Sequence, residues 1–164
     1  MAIRQLVRFD DEIFRKISKP VTKFDQRLWD LLDDMSDTLK LVGGFGCAAV
    51  HFGVLRRAIV VNDKSGVIEL INPTITETSS ETHCLYEASI AIGAPSGYVE
   101  RPYKVTISAV DRYGEQISVT GEDFLAAAFC HEIDHLDGVL FMDKALMNVT
   151  DPKEARQIFM DRKQ

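Results

Sequence analysis

Long hydrophobic runs are missing from this chain. No stretch of about 18 or more apolar residues occurs, so no segment reads as a membrane-spanning helix. The opening Met1-Ala2-Ile3-Arg4-Gln5 lacks the continuous apolar core of a secretion signal. Cysteine is scarce: Cys47, Cys84 and Cys130 make an odd count without disulfide-framework spacing. That pattern fits a reducing, cytoplasmic setting in which cysteine serves as ligand, nucleophile or small core residue. Basic clusters are also absent, and a net charge of −6 argues against a nucleic-acid footprint. Repeats, low-complexity tracts and linkers are missing too. What remains is 164 residues with 46% apolar and 27% charged side chains, the profile of a single domain over 1–164.

Helical periodicity comes first. Asp25 reads as the cap of a helix whose apolar positions Leu28, Leu32, Met35, Leu39 and Val42 step by four and three along one face. Trp29 and Leu31 widen that stripe, while Asp30, Asp33, Asp34 and Asp37 are expected to face water. Gly43-Gly44-Phe45-Gly46 ends the helix and opens an irregular loop. Short strands are expected at 58–62, 67–72 (stopping before Pro73), 75–78, 98–100, 104–111 and 116–120. Within the fifth of these, Val105, Ile107 and Ala109 alternate with polar neighbours, the mark of a half-buried strand. Val139 to Met142 reads as a short strand or core loop. A last helix is expected from Asp151 as cap, with Pro152 at its first position. Antiparallel strands around one central helix, with a helix at each flank, define an α+β fold.

The central helix carries the chemistry. His131-Glu132-Ile133-Asp134-His135 puts two histidines four residues apart, one turn above each other on one helix face. Two such imidazoles can grip a divalent metal, and Glu132 lies beside the site, where it can handle the proton of an attacking water. Thr120 and Asp123 read as a capping box before this helix, and Gly138 as its stop. The competing reading is two histidines at this spacing by chance on a surface helix.

A catalytic metal normally keeps three protein ligands. Downstream of His135 there is no further histidine. Upstream stands His83-Cys84-Leu85-Tyr86; in extended chain His83 and Cys84 point to opposite faces, so only one can reach a shared ion. Cys84 is the better ligand, because thiolates bind Fe(II) and Zn(II) strongly. The glycines and alanines of Gly44-Phe45-Gly46-Cys47-Ala48-Ala49-Val50-His51 allow backbone N–H groups to approach a substrate closely.

In this order the three pieces resemble the peptide deformylases, which carry G-φ-G-φ-A-A-x-Q, then E-G-C-L-S, then H-E-x-D-H on a helix. The matching segments are Gly44 to His51, Thr82-His83-Cys84-Leu85-Tyr86, and His131 to His135. The likeness extends to Val7-Arg8-Phe9-Asp10-Asp11 and to Leu136-Asp137-Gly138-Val139-Leu140-Phe141-Met142-Asp143. The resemblance implies a peptide deformylase-like α+β fold and hydrolysis of the N-formyl group from formyl-methionyl N-termini of nascent polypeptides. It implies one divalent metal, Fe(II) by family preference with Zn(II) able to occupy the site, held by Cys84, His131 and His135. Glu132 would move the proton, and the Cys47 backbone N–H and the His51 side chain would hold the oxyanion. Gly46, Leu85 and Arg101 would contact substrate. The implied partners are formylated nascent chains at the ribosome, with no nucleic acid or membrane and a monomeric state.

Two of the three segments depart from the family pattern. His51 stands where the family has glutamine, and a neutral imidazole has only a single N–H to donate. Thr82, His83 and Tyr86 replace Glu, Gly and Ser of the second segment, and Glu81 or Glu87 is left to supply the missing acid. A second reading follows: a deformylase-like paralogue with fold and metal kept and activity lost or altered. A zinc peptidase is disfavoured, since those take a third ligand from downstream of the helix.

Overall fold

A computed structural model describes residues 3–148, so the helix expected from Asp151 lies outside the described residues. Helix α1 spans Gln26–Val42, and its cap is the expected one: the Asp25 carboxylate accepts the Leu28 N–H at 3.2 Å. Leu28, Leu31, Leu32, Met35 and Leu39 are buried. The stripe stops there, because Val42 is 45% exposed, and Gly43 closes the helix in the left-handed region. Asp34 does not face water as expected. It is buried and accepts a hydrogen bond from Arg4 Nε at 2.9 Å, so the N-terminal segment is tied to this helix by a charge pair.

Two antiparallel sheets carry the rest. The first has five strands in the order β1 (Gly46–Ala48), β2 (Ala58–Asp63), β3 (Gly66–Thr78), β6 (Lys104–Val110) and β7 (Gln116–Glu122). The second joins β4 (Thr82–Ala88), β5 (Ser96–Pro102) and β8 (Ala145–Asn148). The expected break at Pro73 does not occur: β3 runs through it with register shifts on either side of Thr74 and Ile75. Asn72 takes a positive φ there and clasps the backbone of Val21 through both side-chain polar atoms. A bulge of this kind accommodates a residue that cannot donate to the ladder. In β6, Val105, Ile107 and Ala109 are buried in alternation, as their pattern requires.

Helix α2 (Phe124–Leu136) sits between the layers, touching β1, β2, β5 and β7. Ala126, Phe129, Cys130, Ile133 and Leu136 join the core formed with Phe14, Ile59, Leu70 and Ile107. The expected capping box is not present: Thr120 belongs to β7, and Asp123 precedes the helix at φ 55° without a side-chain cap. Burial, not capping, stabilises this helix. The 139–142 stretch ends in a short helical turn, α3 (Phe141–Lys144), rather than a strand. Among the described residues no helix is long and apolar enough to cross a membrane.

Candidate active site

The site is assembled on α2. His131, Glu132 and His135 are all buried, but they differ in how far their polar atoms are satisfied. His131 Nδ1 lies 2.8 Å from Glu87 Oε1 on β4. Glu87 in turn accepts both forks of Arg101 at 3.0 Å, and Arg101 donates to Asp134 at 2.6 Å. A histidine held through one ring nitrogen by a carboxylate presents the other nitrogen in a defined direction, the usual support of a metal ligand. Burial alone would weaken the Arg101 charge, but its bonds to Glu87 and Asp134 more than offset this and its proton is held more tightly than usual. Burial also opposes the charge on Glu87, yet the His131 and Arg101 bonds bring its carboxyl below the ordinary value.

His135 is different. It is fully buried, and neither ring nitrogen has a hydrogen-bond partner. Its ring centroid lies 4.5 Å from that of His51 and 5.0 Å from that of His131. Phe14, from a short helical turn at Glu12–Arg15, packs under both His51 and His135. Glu132 Oε2 is likewise buried without a partner. Ligand-capable atoms of His51, Glu132 and His135 all lie within 4.8 Å of one another. Burial, reinforced by the charge on His131, pushes His51 down to about 3. Burial, with His51 and His131 adding to it, lowers His135 well below its ordinary value. Both are therefore neutral imidazoles; the lone pair of His51 Nδ1 already accepts the Ala48 N–H at 3.0 Å, whereas that of His135 is unengaged and in the form that binds metal. Burial pushes Glu132 up to about 7.

These residues fit a divalent metal. Orphaned, fully buried nitrogens are rare in folded proteins and call for a ligand, and an imidazole cluster flanked by carboxylates is a donor set that suits Zn(II) or Fe(II).

Cys84 does not join this cluster, which corrects the expected ligand set. The β4–β5 register pairs His83 with Arg101 and Cys84 with Glu100. Alternation then puts His83, Leu85 and Glu87 on the face of Arg101, toward α2, and Thr82, Cys84 and Tyr86 on the other. Neighbours agree: Thr82 bonds Glu100, and Tyr86 packs on Tyr98. The residue at the site is Ser89, whose Oγ is 3.2 Å from His51 Nε2. Reading E-G-C-L-S onto Glu87-Ala88-Ser89-Ile90-Ala91, five residues downstream of the expected frame, keeps the acid and the small residue and puts serine at the cysteine position. Glu87 and Ser89 were thus missed because a nearby cysteine fixed the wrong frame; the acid followed by two small residues was the signal available.

Three further expectations change. Arg101 is 3% exposed and fully engaged by Glu87 and Asp134, so it braces the site instead of contacting substrate. His83, read as the replacement of the family glycine, falls outside the shifted motif; it lies 3.3 Å from Asp123 and packs on Tyr103. The Cys47 N–H is spent on the sheet. Asn62 N–H donates to Phe45 O, and Ala48 N–H turns to His51 Nδ1. Bonded and non-bonded pairs alternate in an antiparallel ladder, so the Cys47–Val60 pair is a bonded one. Burial also raises the Cys47 thiol well above its ordinary value and pushes Cys130 up to about 11, which leaves both thiols protonated.

A cavity of about 480 Å³ opens beside His131 and Glu132. Gly46 and Leu85 are among its lining residues, and the buried His51 and His135 are not. A Cβ at Gly46 would meet the Glu132 carboxylate at 3.0 Å, so glycine is what lets this loop close on α2.

Comparison with known proteins identifies the family. The family described as Polypeptide deformylase matches residues 3–151. A peptide deformylase of Caldicellulosiruptor bescii is 47% identical over 151 residues, covering 92% of this chain and 90% of its own. One from Acetivibrio thermocellus is 43% identical, covering 96% and 92%. Among solved structures, the peptide deformylase of Thermotoga maritima superposes with a TM-score of 0.86 at 31% identity, over 90% of this chain and all of that one (100%). That of Legionella pneumophila gives 0.83 at 36% identity, over 99% and 96%. With its metal-helix motif buried at the heart of that shared fold, this chain belongs to the peptide deformylase family.

Proposed function

We propose that this protein is a metal-dependent amide hydrolase that removes the formyl group from formyl-methionyl N-termini of nascent polypeptides. The single observation that carries the reading is the buried cluster of His131, Glu132 and His135 on α2, set against a cavity between the Gly46 loop and β4. His131 and His135 hold the metal in this reading. When bound, the metal supplies a Lewis acid that polarises the formyl oxygen and acidifies water. Glu132 accepts the proton of the water that attacks the formyl carbon and returns it to the departing amine. Its Oε2, without a partner in the folded chain, is the atom available for that transfer. A carboxyl pushed up to about 7 by burial has a proton affinity suited to both directions of transfer.

The cavity lets an extended peptide lie along Leu85 and the edge of β4, with Gly46 allowing close approach to Glu132. Nascent chains carry that formyl group, so the protein would work in the cytoplasm beside the ribosome as one domain and a monomer. The experiment is turnover of a formyl-Met-Ala-type peptide by the Fe(II)-loaded and Zn(II)-loaded protein. Release of formate above the metal-free protein is the expected result; equal rates with and without metal would remove the reading.

The second reading, a family member with altered activity, is favoured by one observation: Ser89 and His51 stand where the family pattern has cysteine and glutamine. Its mark would be stoichiometric metal with no formate released.

A further inference from the structure

Two hydrogen-bond donors expected at the site are engaged elsewhere. The Cys47 N–H serves the sheet, and the single N–H of His51 points at Ser89. The backbone fixes that direction. Ala48 N–H can only donate, and it meets His51 Nδ1 at 3.0 Å, so Nδ1 carries the lone pair and Nε2 the proton. The Ala48 carbonyl, 3.2 Å from the same nitrogen, is then a close approach with no hydrogen between the two atoms. Glu132 Oε2 lies 3.9 Å from Nδ1, beyond hydrogen-bond reach.

Ser89 Oγ accepts from His51 Nε2 at 3.2 Å and from the Ala91 N–H at 3.2 Å. A hydroxyl oxygen has two lone pairs, and these two N–H groups take both. Two roles are thereby closed to Ser89. It has no lone pair left for a metal ion. It is no nucleophile either, because the neighbouring imidazole nitrogen already holds a proton and cannot accept another from the hydroxyl. What Ser89 keeps is its own O–H, which no described residue receives. The residue is half-buried and lines the same cavity as His131 and Glu132. We propose that Ser89 donates this O–H to the carbonyl-type oxygen of the group bound beside the α2 histidines, which is the formyl oxygen in the reading above, on which this role rests. Negative charge gathers on that oxygen as water adds to the formyl carbon, so a donor aimed at it favours the transition state over the ground state. His51 acts through Ser89 and is a positioning residue: its N–H holds the hydroxyl in place and strengthens it as a donor. A thiolate at position 89 could accept but not donate. The departures at 51 and 89 are therefore one change, a charged acceptor exchanged for a supported donor.

Formate, the product, probes this contact apart from turnover. Calorimetric titration of the Zn(II)-loaded full chain should show formate binding, and Ser89→Ala should weaken it by about tenfold with zinc content unaltered by elemental analysis. Ser89→Thr, which keeps the hydroxyl, should recover the affinity. With the formyl-Met-Ala-type peptide, Ser89→Ala should lower kcat by about a hundredfold and leave KM near that of the parent. Nitrogen-15 chemical shifts of His51 in the parent should show a protonated Nε2 and a bare Nδ1. The opposite tautomer, loss of zinc in Ser89→Ala, no recovery in folded Ser89→Thr, or no formate bound by the parent would each overturn the proposal. A parent that turns over peptide while Ser89→Ala matches it in kcat and formate affinity would remove this role and leave the functional reading standing. A parent that binds formate in this Ser89-dependent way yet releases none from the peptide would do the reverse.

Discussion

The two long helices among the described residues answer the same need, burying apolar surface, in opposite ways. Helix α1 covers the core with one face and gives the other to water; of its charged side chains, only Asp34 is buried. Helix α2 is enclosed by strands of both sheets and buries His131, Glu132 and His135 along with its apolar residues. The other charged groups on α1 are solvated and cheap, and its buried Asp34 and Thr38 are both met by Arg4. The buried polar groups on α2 must be paired or must wait for a ligand, because an unpartnered buried polar group is costly. Glu87 pairs His131; His135 and Glu132 Oε2 are left waiting. The difference teaches where to look for chemistry: in the helix whose polar residues the fold has withdrawn from water without satisfying all of them.

Substitutions can break that contrast. The largest effect is expected for Glu132→Gln, which removes the proton acceptor. Formate release should fall by about a hundredfold to ten-thousandfold while metal content measured by elemental analysis stays the same. Glu87→Ala comes next, since it strands both Arg101 and His131 in the interior. Urea denaturation should show a loss of about 3–5 kcal/mol. The sign with pH follows from a carboxyl held below its ordinary 4.5. The stabilisation is complete above that value and is lost as pH falls through the lowered folded-state value, so the variant and parent should converge in strong acid. On α1, Leu32→Ala should cost about 2–5 kcal/mol by opening a cavity under a fully buried side chain. Formate release per folded molecule should not change, which sharpens the division of labour. The smallest effect is Asp25→Ala, which removes the cap on Leu28 N–H and should cost about 0.5–2 kcal/mol by the same measurement.

Legibility followed the range of the interaction. The α1 cap and stripe, the alternation in β6, and the pairing of two histidines on α2 are local patterns, and periodicity reads them directly. Asp34 misled because its partner Arg4 is thirty residues away in sequence. Thr120 and Asp123 have the spacing of a cap, but the end of β7 claims Thr120. Cys84 misled for a related reason. Side chains on a strand alternate, and which of the two faces meets α2 depends on the β4–β5 register, not on the identity of the residue. Glu87, three residues on, falls on the facing side and Cys84 does not.

The amino-acid sequence by itself determined the α+β class, the amphipathic first helix, the metal-binding motif of the second and the family to which the chain belongs. All rest on short-range periodicity or on motifs whose residues are close neighbours. Only the tertiary structure decided which side chains complete the site. His51, Glu87, Ser89 and Arg101 come from separate segments of chain, and packing of two sheets against one buried helix is what places them within reach of His131 and His135. A face of a strand is chosen by its neighbours, and no stretch of sequence read alone contains that choice.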